Sequence, residues 1–210
     1  MDVCRAINIA VGCVMASHLE NKEKREVIEV LRSLERQLEE DEWGDELNLQ
    51  KLFEMQRQLD EHIEKEHPRQ EGEDRLAKKI LALQVELGEL ANELPEVFKF
   101  WSNKKNNRKK ALEEFCDALH FLLSIGLDIA EPDIVNLRDV DGKENIIEQF
   151  IEVFNRVRDL YFFEYDIFEY ESLLAQFIKL GEMLGFTWEQ IEEAYLQKNA
   201  ENHARQNRGY

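Results

Sequence analysis

LEEFCDALHFLLSIGL, residues 112–127, is apolar at ten of its sixteen positions. At about 100° per residue those ten fall on every side of a helical wheel, so a helix here is buried all round and its remaining residues need a reason. They are Glu113, Glu114, Asp117, His120, Ser124 and Gly126. Glu114 and Asp117 stand three apart, which stacks them on one face about a turn from each other. Glu86 and Glu89 repeat that spacing upstream. With Glu93 they fall within about a 60° arc that borders the stripe of Leu83, Leu87, Leu90 and Leu94. Two such helices side by side build an acidic cage from four carboxylates.

Helical periodicity continues along the chain in both directions. Val3, Ile7, Ala10, Val11 and Val14, then Ile28, Leu31, Leu34 and Leu38, predict a helical hairpin over residues 1–47, closed by a turn-prone linker around Gly44. Asn48 is placed to cap a helix carrying Leu52, Met55, Leu59 and Ile63 to about Glu66. After a loop over residues 68–74, a helix runs from Arg75 until Pro95 ends or kinks it. Residues 101–110 read as a loop, and the buried helix runs from Ala111 to about Ile129. Further helices are predicted over 146–163 and 170–184, the second stopped by Gly185. Thr187 and Gln190 have the spacing of a capping box for a last helix from Trp188 toward Arg205. With three prolines, nine glycines and no sustained alternation, the expected fold is all-α, a helical bundle over residues 48–210 with the hairpin as appendage.

Forty-five acidic against 27 basic side chains give a net charge of −18. That excess argues against nucleic-acid binding, which needs a dense cationic surface. Cys4, Cys13 and Cys116 are odd in number and widely spaced, as expected of reduced thiols in a cytoplasmic protein. The apolar run from Ile7 to Ala16 is interrupted by Asn8 and preceded by little positive charge, unlike a signal peptide. No stretch is long and apolar enough to span a membrane.

Two like charges about 4 Å apart repel by about 4 kcal/mol at an effective dielectric of about 20, before desolvation is counted. Buried carboxylates that face one another therefore call for a divalent cation. All-oxygen ligands at Glu86, Glu89, Glu114 and Asp117 select a hard ion, Mg²⁺ or Mn²⁺, and point toward phosphoryl chemistry. Cys116 lies about 200° around the helix from Glu114 and belongs to the core. Lys198, Asn202 and Arg205 recur at i, i+4 and i+7 on the last helix, with Tyr195 beside them. That face either grips polyphosphate or complements the helix dipole. Lys104, Lys105, Arg108, Lys109 and Lys110 read as a solubilising loop rather than a steering patch.

Four segments occur in one order: Glu86-Leu-Gly-Glu-Leu-Ala-Asn-Glu93, Lys99-Phe-Trp101, Glu114-Phe-Cys-Asp-Ala-Leu-His-Phe121 and Lys198-Asn-x-x-Asn-x-x-Arg-Gln206. Together they resemble the dimeric dUTPase family, within the all-α nucleoside triphosphate pyrophosphatase superfamily that includes MazG. The likeness covers residues 48 to 210. It implies a homodimer that hydrolyses dUTP to dUMP and pyrophosphate with Mg²⁺. By the same likeness Glu86, Glu89, Glu114 and Asp117 hold metal, and Glu86 or Glu89 orients or deprotonates the attacking water. Gln56 would read the base, His120 and Phe121 would contact and stack on it, and Trp101 would supply a wall. Lys198, Asn199, Asn202, Arg205 and Gln206, with Tyr195 beside them, would bind phosphate. Asp60 stands where the family usually has a small polar residue near the substrate, and the likeness assigns it no role. Three rivals remain open: a related pyrophosphatase acting on dCTP or a damaged nucleotide, a di-iron carboxylate bundle, and a non-catalytic helical interaction protein. The di-iron reading wants Glu-x-x-His, and only Asp117-x-x-His120 comes near.

Overall fold

The computed structural model describes residues 49–209 except 133, 134, 136 and 138, together with Val27 and Val30. Apart from Val27 and Val30, the hairpin expected over residues 1–47 and the Asn48 cap lie outside the described residues. Among those described there are seven helices and no strand: α1 (Leu49–Glu66), α2 (Arg75–Asn92), α3 (Pro95–Phe98), α4 (Arg108–Ile129), α5 (Ile146–Phe162), α6 (Ile167–Met183) and α7 (Trp188–Asn207). No helix among the described residues is long and apolar enough to cross a membrane.

The apolar stretch over residues 112–127 is the heart of the bundle. α4 packs against α1, α2, α6 and α7, and Phe115, Leu119, Leu122 and Leu123 on its various sides are all fully buried. Leu83, Leu87 and Leu90 of α2 complete one side of the core, and Leu173, Leu174 and Phe177 of α6 another. Phe115 stacks on Phe177 with ring centroids 4.2 Å apart. Gly126 has a steric role: a Cβ there would overlap the Tyr170 hydroxyl and the Phe53 ring. Tyr170 is fully buried in the core, and its hydroxyl donates to the Leu122 carbonyl at 3.1 Å.

Local chemistry sets the helix ends. Asn107 caps α4 by accepting from the Lys110 amide at 3.2 Å, so α4 starts at Arg108 and draws three of the expected loop cations into its first turn. Arg108 donates to the carbonyls of Leu184 (2.9 Å) and Gly185 and lies over the Phe186 ring. It thereby ties the start of α4 to the end of α6. Gly185 adopts φ +76°, and the Gly185 and Phe186 amides donate to Glu182 (2.8 Å) and Gly181 (3.0 Å), the paired bonds that close a helix with a left-handed residue. Asp166 starts α6 three residues earlier than the periodicity alone implies, by accepting from the Phe168 amide. Pro95 ends α2 and opens the single turn of α3. The capping box at Thr187 and Gln190 is present, with both reciprocal bonds made.

Candidate active site

Side-by-side packing of α2 and α4 turns the two acidic pairs toward each other. One carboxylate oxygen from each of Glu86, Glu114 and Asp117 lies within 4.8 Å of the others, the one cluster of this kind among the described residues. All three side chains are part-buried. Glu89 is exposed and stands outside this triad, yet its charge acts on Glu86 and Glu114. Burial first, and then Asp117, Glu89 and Glu114, pushes the Glu86 carboxyl up to about 7. Glu114 is pushed up by burial and by Asp117 and Glu89. Burial also raises Asp117, against the pull of Lys198, whose Nζ lies 2.5 Å from Asp117 Oδ2. Three crowded oxygen donors, with no thiolate or imidazole among them, suit a hard divalent cation that would relieve this repulsion. Cys116 faces away, buried, with its Sγ near the Ile191 carbonyl.

A cleft of about 730 Å³ runs from this triad between α1 and α2, floored by α4 and flanked by α7. Of the residues expected at the site, Gln56, Glu86, Asp117, His120, Phe121, Lys198, Asn202 and Arg205 line it. Glu114 belongs to the triad without lining the cleft, and the others lie elsewhere. Tyr195 is fully buried in the core. Asn199 is buried between α7 and α1, its Nδ2 3.5 Å from the Met55 carbonyl. Gln206 has a buried Oε1 with no partner. Trp101 is 66% exposed, sits edge-on to Phe98 and Phe100, and does not line the cleft. Glu113 is a surface residue beside Lys109.

Beneath the cleft a directional hydrogen-bond chain fixes the side chains. The Gln56 amide oxygen can only accept, and it takes the Tyr195 hydroxyl at 2.9 Å and His120 Nδ1 at 2.8 Å. His120 therefore carries its proton on Nδ1. Its ring stacks on Tyr195 at 4.0 Å, and its Nε2 is buried without a partner. Burial, with the charge of Lys198 adding, pushes this imidazole down to about 3, the Tyr195 backbone opposing. Gln56 Nε2 donates to Asp60 Oδ1 at 2.7 Å, and Asp60 Oδ2 accepts from Ser124 Oγ at 2.5 Å. Lys79 Nζ stands 3.6 Å from the same Oδ2, 2.6 Å from Asp128 and 3.3 Å from the Ser124 carbonyl.

Asp60, Lys79, Ser124 and Asp128 all line the cleft, and sequence reasoning gave none of them a role. For Ser124 and Asp128 the signal was present: they follow Asp117 and Phe121 at three- and four-residue steps on one face of the buried helix.

No curated protein matches the chain. The family model described as dUTPase matches residues 48–210, the whole of the segment that folds around the carboxylate triad. A family of hydrolases acting on nucleotides accounts for the triad, the cleft and the cationic face of α7 together, and the chain belongs to the dimeric, all-α dUTPase family.

Proposed function

We propose that the protein is a Mg²⁺-dependent dUTP diphosphatase that releases dUMP and pyrophosphate. The observation that carries this reading is a nucleotide-sized cleft lined by Glu86 and Asp117 together with Lys198, Asn202 and Arg205 of α7. Glu86, Glu114 and Asp117 would hold the ion. Bound there, a divalent cation supplies charge neutralisation for the phosphate oxygens and acidifies a water. Lys198 offers a point charge and Arg205 a planar fork to the polyphosphate. Phe121 offers its ring to the base. Glu89, outside the triad but one turn from Glu86, is assigned to take the proton of the attacking water. The same proposal includes the homodimer that the family resemblance implies.

Purified protein with Mg²⁺ is expected to release pyrophosphate from dUTP. Glu89→Gln should lower kcat by at least about 100-fold, in the range of a lost general base, with helical content unchanged. No release by the parent protein, or a Glu89→Gln variant as fast as the parent, would overturn the assignment. A faster rate with dCTP than with dUTP would keep the metal site and reject the uracil reading.

A further inference from the structure

Asp60 lines the cleft, its side chain 24% exposed, whereas Gln56 and Ser124 beside it are buried. Each Asp60 oxygen already accepts from within the protein, Oδ1 from Gln56 Nε2 (2.7 Å) and Oδ2 from Ser124 Oγ (2.5 Å), with Lys79 Nζ 3.6 Å away. Those contacts hold the carboxylate in one orientation. A carboxylate has about four acceptor directions, so lone pairs remain for a ligand, and a ligand that meets them must bring a hydrogen to donate. Position along α4 says which part of a nucleotide arrives there. Ser124, which holds Asp60, follows Asp117 by seven residues, about 10 Å of helix rise. That separation is roughly the reach from a phosphate at the carboxylate triad, past the sugar, to the pairing edge of the base. Phe121 lies between the two points and lines the same cleft.

We propose that Asp60 is a specificity-determining residue that accepts a hydrogen bond from the imide N3–H of the base. The inference rests on the deoxyuridine nucleotide reading above and assigns its base selection to a named side chain. Uracil carries a proton at N3, and cytosine presents a lone pair there. A fixed acceptor facing that position favours the first and repels the second. Neutral asparagine reverses the sign. Gln56 Nε2 needs an acceptor opposite it, so an asparagine at position 60 keeps its oxygen on that side. Its NH₂ group then takes the place of Oδ2, where the Ser124 hydroxyl can turn to accept it.

The test compares kcat/KM for dUTP and dCTP in the parent and in Asp60→Asn, with circular dichroism to confirm folding. Asp60→Asn is expected to shift the dUTP-to-dCTP preference toward dCTP by at least about tenfold. Equal losses on both substrates would overturn the role of Asp60 while leaving the diphosphatase reading intact. Absence of hydrolysis of any deoxynucleoside triphosphate by the parent would overturn both. Should the variant fail to fold, the parent alone decides: N3-methyl-dUTP should be hydrolysed at least about tenfold less efficiently than dUTP. Equal efficiency rejects the contact.

Discussion

Glu86 is the side chain that suffers most when the carboxylate triad stands without a cation. Its carboxyl, ordinarily near 4.5, is pushed up to about 7 by burial and by Asp117, Glu89 and Glu114. An acid whose folded pKa lies above its unfolded value binds its proton more tightly when folded. Its stabilising share is complete below about pH 4.5 and is lost as pH rises through about 7. Because the group is only part-buried, solvent screening reduces the effect to about 1–2 kcal/mol. In EDTA, Glu86→Gln should therefore melt higher than the parent at pH 8, with the advantage shrinking toward pH 5. An offset equal at both pH values would reject this account. Mg²⁺ should raise the parent's melting temperature at pH 8 and leave the variant's nearly unmoved. The acidic spacing was legible because helix geometry alone puts residues three apart on one face. Which of the four carboxylates converge was not, because Glu89 falls outside the triad through the packing of α2 on α4. The family likeness put Asp60 near the substrate, but its contacts were hidden, since its partners Ser124 and Lys79 come from two other helices.

At the scale of the element, α4 shows how tightly the central helix is fitted. Gly126 is the point where Tyr170 of α6 and Phe53 of α1 both approach its backbone. Gly126→Ala should raise helix propensity and yet destabilise the fold, since the added methyl must displace the Tyr170 hydroxyl from its bond to the Leu122 carbonyl. Overpacking of this kind costs about 1–3 kcal/mol, readable as a lower urea midpoint at unchanged slope. A midpoint equal to or above the parent's would show that the contact yields. Sequence periodicity located all the long described helices because each buries a continuous apolar stripe. It misplaced the starts of α4 and α6 because Asn107 and Asp166 act as caps through side-chain bonds that hydrophobic spacing does not register.

Across the whole molecule, charge and apolar surface pull in opposite directions. Ala91, Val97, Phe98, Ile147, Phe150, Ile151 and Phe154 line an apolar groove between the end of α2, α3 and α5, and Phe98, Ile147 and Ile151 are exposed along it. Fully burying such side chains is worth about 1.5–3 kcal/mol each, which favours covering the groove with the second copy that the proposed homodimer supplies. Two chains that each carry −18 repel one another across the same contact, and salt screens that repulsion within about 10 Å at 0.1 M. The proposed dimer should accordingly tighten as salt is raised from low to moderate concentration, opposite to an interface held by ion pairs. Light scattering at micromolar protein should give twice the chain mass in moderate salt. The paired substitution Ile147→Glu with Ile151→Glu should return the single-chain mass while preserving helical content, because it places four more carboxylates in the contact. A parent protein of single-chain mass at every salt concentration would reject the dimer. A dimer indifferent to the paired substitution would move the contact to another face, the exposed Tyr161, Phe162 and Phe163 being the next apolar cluster available.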